Sequence, residues 1–354
     1  MGLWNTISEL PVEIESYELE GLEREVSSDF TRMSTLIHLH GGGQTGSGED
    51  VTYDALDHVA LQDAGPTLEL SGRRTLGELC AMLGDLNLFP SEPERPVSRR
   101  YRRWAFESAA LDLALLQDGR SFAELIDREP RPVRYVVSLR LGDPPAFEPV
   151  GRRLERYPDL QFKLDPTNDW DGPLIERMAA TGSVVTLDLK GHYKGTIVDV
   201  ETDPELYRQL VEAFPDAWIE DPDVNEQTRP ILEPHADRVT WDAPVHEVAD
   251  IVNAPWKPRM INIKPSRAGT LQTLIETYEH CEAHGIAIYG GGQFELGVGR
   301  GHIQYLASLF HPDTPNDVSP AGFHTADVPP GLPVSPLEPS VAPTGFRWTG
   351  DAGG

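Results

Sequence analysis

The sequence predicts an α/β protein in which a parallel (β/α) barrel follows a separate α+β domain. Three observations carry this reading. From about Val133 onward, short apolar runs alternate with longer amphipathic ones, the rhythm of parallel strands joined by helices. Eight such runs occur, as many as a closed barrel needs, and no GxGxxG follows the first of them, as an open doubly wound sheet would require. Residues 1–131 lack that rhythm altogether.

In that first segment, "VEIESYELEGL" and "MSTLIHLHGG" alternate with a period of two and predict an antiparallel sheet. The stretch "SRRYRRWAFESAALDLALLQDG" carries an apolar stripe at helical spacing. The predicted barrel strands are 133–141, 160–164, 183–189, 217–221, 238–242, 260–264, 286–290 and a final one near 316–323. Helical patterns such as "DGPLIERMAATG", "DPELYRQLVEAFP" and "TLQTLIETYEHCEAHG" lie between them. The barrel domain is placed at 132–324. The tail 325–354, rich in Pro and Gly, is expected to run back over the first domain with its last residues mobile.

Composition narrows the function. The 30 basic and 57 acidic residues give a formal charge of -27, which repels phosphate backbones and anionic bilayers, so neither nucleic acid nor membrane is expected as a partner. No apolar run reaches the length of about 18 residues that a membrane helix needs, and the first residues lack the basic and apolar regions of a secretory signal. Cys80 and Cys281 are far apart and suit reduced, packed thiols. A cytoplasmic protein is expected. Lysine occurs only at 163, 190, 194, 257 and 264, and arginine supplies the rest of the basic residues. A lysine-poor surface explains the missing lysines, not the retained ones, and a retained ammonium has a tunable pKa.

Catalytic groups of parallel barrels project from the carboxyl ends of the strands. Those ends give Lys163 and Asp165, Asp188 and Lys190, Glu220 and Asp221, Asp242, Lys264 and then Glu295. Asp188, Glu220 and Asp242 follow three consecutive strands, and neighbouring strands lie about 4.8 Å apart, so three carboxylates can converge on one hard cation. An all-oxygen set suits Mg²⁺ better than zinc. Any one of these acids alone reads equally as a solvated strand end. Lys190 has two readings: an ion pair with Asp165 or Asp221, or an ammonium beside the cation, where like-charge repulsion would make it a proton acceptor.

These residues resemble the enolase superfamily, in particular its mandelate-racemase and muconate-lactonizing-enzyme-like members. "WIEDPD" resembles the fourth-strand metal motif, "VTLDLKG" stands where the family has Asp-x-Asn-Gly, and "INIKPSRAGTL" resembles the sixth-strand lysine motif. "IYGGGQFELGVGRGHIQYLASLF" is similar to the family's glycine-rich entry into its seventh helix. The resemblance implies a TIM-like (β/α)7β barrel with an N-terminal α+β capping domain completed by the C-terminal tail. "HGGGQTGSGEDVTYD" would be the mobile loop over the active site and "RRWAFESAALDLALLQDGRSFAEL" the helix leading into the barrel.

It further implies a Mg²⁺-dependent lyase or isomerase that removes the proton alpha to a carboxylate of a small-molecule substrate, and a homo-oligomer. By position, Asp188, Glu220 and Asp242 would be the metal ligands and Lys264 a general acid/base. The second strand departs from the family's Lys-x-Lys: "FKLDPTNDW" keeps Lys163 and puts Asp165 at the position of the second lysine, while Lys190 replaces the family's Asn. The departure admits a swap, with the ammonium lost at 165 restored at 190 and Asp165 either pairing with Lys190 or acting as a carboxylate base; it favours a one-base outcome, dehydration or cycloisomerisation, over two-base racemisation or epimerisation, with Lys163, Asp165, Lys190 and Lys264 as the catalytic candidates. Glu295, His38, His40 and His192 are further candidates for touching substrate, against a packing role for each. Two other classes remain: a catalytically lapsed binding protein on the same scaffold, and a Schiff-base aldolase using Lys264.

Overall fold

The computed structural model describes residues 2–27, 30–196 and 199–350; the final residues 351–354, expected to be mobile, lie outside these. The N-terminal domain comprises α1 (Leu3–Ser8), β1 (Pro11–Ile14), β2 (Ser16–Ser27), β3 (Phe30–Gly41), β4 (Gln44–Asp50), α2 (Ala55–Ala64), β5 (Gly72–Thr75), α3 (Leu76–Asp85), α4 (Ser98–Asp118) and α5 (Phe122–Leu125). Strands β2, β3 and β4 form an antiparallel meander, and β1 pairs with β5. Ile37 and Leu39 on β3 are buried, as is nearly every residue of α4 from Trp104 to Leu115, so this helix is the spine on which the sheet packs.

One expectation is corrected here. Most of "HGGGQTGSGEDVTYD" is not a loop over the site but the β3–β4 hairpin, with β4 pressed against α4. A Cβ on Gly46 would lie 2.4 Å from the carbonyl oxygen of Ala109, and one on Gly48 would lie 2.0 Å from that of Ala105. The glycines serve this backbone-to-backbone approach, and the stretch reaches the barrel mouth through Glu49 and the segment after Asp50.

The barrel runs β6 (Val137–Leu139), α6 (Glu148–Arg156), β7 (Phe162–Leu164), α7 (Gly172–Ala179), β8 (Val184–Asp188), α8 (Pro204–Ala213), β9 (Trp218–Glu220), α9 (Arg229–Leu232), β10 (Val239–Thr240), α10 (Val248–Val252), β11 (Met260–Ile263), α11 (Pro265–Ala268), α12 (Leu271–His284), β12 (Ala287–Gly290) and α13 (Val298–Phe310). Strands β6 to β10 form one parallel sheet in chain order, and β11 pairs with β12. A hydrogen bond of 3.0 Å from Asn262 N to Trp241 O joins the two arcs. The eighth stave is only the bridge pair Asn316 with Tyr135 and Asp317 with Gly291, where a strand over 316–323 was expected; a 3-10 turn at Ala321–His324 takes the rest. Helices α7, α8 and α12 begin on side-chain caps from Asp171, Asp203 and Thr270.

The tail crosses both parts. Leu337 bridges Val133, Phe346 packs on Phe122 and Tyr305, and Arg347 pairs with Asp112 of α4 at 2.9 Å. Two buried side chains tie the first domain to the barrel mouth. Arg32 donates to the carbonyls of Val51 and Thr52 on one side and of Gln293 and Phe294 on the other. Glu49 accepts from the N–H groups of Leu296, Gly297 and Gly299, which places a carboxylate at the N-terminus of α13.

Candidate active site

The strand-end acids lie on neighbouring strands. Asp188 closes β8 and Glu220 closes β9, directly opposite each other in register. Asp242 follows β10 and Lys264 follows β11. Asp188, Glu220 and Asp242 are at most 1% exposed.

Buried carboxylates need donors, and here side-chain cations and hydroxyls supply them. Lys163 Nζ contacts Glu220 Oε1 and lies 3.0 Å from Asp188 Oδ2. Lys190 Nζ contacts Asp188 Oδ2 and lies 3.4 Å from Asp165 Oδ2. Lys264 Nζ donates to Asp242 Oδ2 at 2.8 Å and Arg267 Nη1 to Asp242 Oδ1 at 2.5 Å. Tyr289 donates to Glu220 Oε2 at 2.7 Å and Tyr193 to Asp242 Oδ2 at 3.2 Å. Asp221, next to Glu220 but with a left-handed φ of 46°, turns away to accept from the N–H groups of Asp242 and Ala243, fixing the backbone at Asp242.

Electrostatics follow from this contact list. Burial alone would raise the carboxyls of Asp188 and Asp242, but Lys163 and Lys190 beside the first, and Arg267 and Lys264 beside the second, hold both well below the usual range. Burial works against the charged forms of Lys163 and Lys190, and their carboxylate neighbours outweigh it and hold both ammoniums well above the usual lysine range. Glu220 is pushed well up by burial and by the crowding of Asp188 and Asp242, and Asp221 is pushed up to about 7 by burial, Asp242 and Asp188.

The second strand places its residues differently from the expectation. Lys163, within β7, is the residue that enters the carboxylate cluster, whereas Asp165 lies past the strand end and meets Lys190 at the rim. An ammonium therefore enters the cluster from the second strand without any contribution from Lys190. His38 is held by Ser47 and Glu20, and His40 by Thr45 and Glu18, on the N-terminal sheet; His192 packs edge-on against Trp241. Cross-strand partners and ring packing account for all three, and none lines the cavity.

That cavity, of about 310 Å³, lies over the strand ends. Lys163, Asp165, Lys190, Lys264 and Glu295 line it, with Tyr53 from the N-terminal domain. Glu295 is turned back to accept from Gln293 N at 2.7 Å. A Cβ on Gly291 would lie 3.0 Å from Lys264 Cε, so glycine there leaves room for the lysine stem. The sequence reading did not single out Arg140, Arg267 or Arg300. Arg140 and Arg300 line the wall that also carries Ser138 and His324, and Arg300 Nε is buried with no hydrogen-bond partner while its Nη1 donates to Ser319 O at 2.6 Å.

For a divalent cation the donor chemistry fits: three buried carboxylates on neighbouring strands, in a cluster where Asp165, Asp188, Glu220, Asp221 and Asp242 outnumber Lys163, Lys190, Lys264 and Arg267. As placed, their oxygens are engaged by those cations, and no closed group of three acidic, His or Cys ligands forms among the described residues. Closure on one ion requires Lys163 and Lys190 to draw back.

The fold has many solved counterparts. A dipeptide epimerase from Methylococcus capsulatus, complexed with Mg and the dipeptide L-Arg-D-Lys, has a TM-score of 0.69 at 19% identity, with 95% of this chain and 99% of that one covered. A dipeptide epimerase from Enterococcus faecalis V583 has a TM-score of 0.69 at 16% identity, with the same coverage. An N-succinylamino acid racemase of Amycolatopsis sp is 30% identical over 242 residues, covering 65% of this chain and 63% of that protein. An o-succinylbenzoate synthase of Bacillus subtilis (strain 168) is 25% identical over 237 residues, covering 65% and 62%. The chain thus spans less than two thirds of the length of these curated relatives. The fold and these relatives place the chain in the enolase superfamily. Within it, residues 5–125 and 129–325 match the N-terminal and C-terminal domains of the family described as domain of unknown function DUF8230, to which this protein belongs.

Proposed function

We propose that the protein is an enzyme that moves the proton alpha to a carboxylate between the two faces of a small-molecule substrate, a racemase or epimerase. The observation that carries this is the position of Lys163 and Lys264. β7 and β11 are the second and sixth of eight staves, so these lysines approach the carboxylate cluster from opposite sides of the ring. Two general acid/bases on opposite faces are what a 1,1-proton transfer needs: one takes the proton and the other returns one. On this reading Lys163, not Lys190, is the partner of Lys264, and no swap is needed. Asp165 holds Lys190 and is not itself a base.

Asp188, Glu220 and Asp242 would hold Mg²⁺, which when bound supplies the positive charge that makes so weak a carbon acid removable. Lys264 stands against Asp242 and Lys163 between Asp188 and Glu220, and a cation taking up those carboxylates would free both lysines to carry protons. Tyr53, on the segment after Asp50, lines the cavity from the N-terminal domain. On the far wall Arg140, Arg300 and His324 suit a substrate whose non-reacting end offers acceptor oxygens. The names of the relatives, an N-succinylamino acid racemase and a dipeptide epimerase, agree with such a molecule.

An imine at Lys264 is disfavoured, because it would leave the buried carboxylates Asp188, Glu220 and Asp242 without an evident role. The ion pairs on all three carboxylates do favour one rival, a binding protein without turnover. Incubation of the protein with N-acylated amino acids and dipeptides in D₂O, with and without Mg²⁺, tests the proposal. Mg²⁺-dependent loss of the alpha-proton NMR signal is expected; its absence across both panels would favour the rival.

A further inference from the structure

We propose that Lys190 is a displaceable counter-ion of the carboxylate cluster: its ammonium, in contact with Asp188, transfers to Asp165 when a divalent cation binds the cluster. The inference rests on the reading of Asp188, Glu220 and Asp242 as the cation site. One ammonium stands between two acceptors, contacting Asp188 Oδ2 and lying 3.4 Å from Asp165 Oδ2. Asp165 has capacity to spare, since its Oδ1 is buried and has no hydrogen-bond partner. A buried carboxylate oxygen without a donor costs about 1–3 kcal/mol, so packing stability does not explain it. A second docking position for the ammonium does.

The backbone leaves the movement to the side chain. Lys190 sits at φ 53°, fixed by its own N–H to Asp188 Oδ1 at 3.2 Å and by Gly191 N to Asp221 O at 2.8 Å. Its ammonium lies over the Tyr193 ring, 5.3 Å from the centroid, a face along which a cation can slide. A divalent ion on Asp188 Oδ2 would repel the ammonium that contacts the same oxygen. Cation binding by this chain therefore includes an exchange of ion pairs, from Asp188 to Asp165.

Calorimetric titration of the full-length protein with Mn²⁺, without substrate, tests this independently of turnover. Lys190→Asn removes the competing ammonium and should lower the Mn²⁺ dissociation constant about tenfold or more. Asp165→Asn removes the docking position and should raise it by a similar factor. In the double variant the Asp165→Asn penalty should vanish, since no ammonium remains to be housed. Circular dichroism and Lys190→Met, which keeps the length of the stem, separate misfolding from a binding effect. Equal affinities in wild type and Lys190→Asn would overturn the exchange while leaving the cation site standing, and so would an Asp165→Asn penalty undiminished in the double variant. Binding by none of the proteins would remove the cation site and the exchange together.

Discussion

Lys163 and Lys264 stand on staves four apart in a ring of eight and contact one carboxylate cluster from its two sides, Lys163 through Asp188 and Glu220 and Lys264 through Asp242. The arrangement follows from closure of the barrel, because residues distant in sequence face each other only when the last strand meets the first.

Glu220 is the carboxylate with the greatest need of a cation, being buried, crowded by Asp188 and Asp242, and pushed well up. Glu220→Gln keeps its shape and removes its charge. Mn²⁺ titration should show affinity reduced about tenfold or more, with the circular dichroism spectrum unchanged.

Arg300 lines the cavity and has a buried Nε without a hydrogen-bond partner. If it grips the non-reacting end of the substrate, Arg300→Met should raise KM about tenfold or more, the worth of a hydrogen bond to a charged group, with a smaller change in kcat. Lysine should rescue only part of the loss, because it lacks the planar fork of the guanidinium. An unchanged KM on every substrate turned over would remove Arg300 from recognition.

Much of the fold was legible because burial writes itself into sequence: a parallel strand covered on both faces is an apolar run, and seven of the eight staves appear within the predicted ranges. The eighth, reduced to bridges at Asn316 and Asp317, has too little paired backbone to leave a pattern. The metal-ligand candidates were legible because they end strands. The facing of Lys163 was not, since β7 is three residues long and all three are buried, so no alternation marks the inward one. Arg267 reaches Asp242 only because α11 turns back at once after Lys264, and Arg140 and Arg300 come together only through the barrel's closure. Gly46 and Gly48 did carry a missed signal: a spacing of two places both on one strand face, which marks a packed strand better than a loop.

Two histidines of the barrel's last helical layer should govern acid stability. His302, stacked on Phe346, and His311, bonded to Asn316 Oδ1 at 2.6 Å, are each pushed down to about 4 by burial. A histidine whose folded pKa is depressed favours folding when neutral. Its contribution is complete above the unfolded value of about 6.5 and is lost as pH falls from there to about 4, on the order of 3 kcal/mol for each. Urea unfolding across that window should show the loss, and His311→Gln should flatten the curve.

Docking of the two parts depends on Glu49. Glu49→Ala would leave the N–H groups of Leu296, Gly297 and Gly299 without their acceptor and should cost about 1–3 kcal/mol in the same urea assay.

The central claim is that Lys163 and Lys264 serve opposite faces of one carbon, and alpha-proton exchange in D₂O with separate L and D substrates tests it most directly. In Lys163→Ala one enantiomer should still exchange while interconversion falls by about 100-fold or more, and in Lys264→Ala the other enantiomer should be the one that exchanges. Loss of exchange for the same enantiomer in both variants, or interconversion that survives either substitution, would contradict the account.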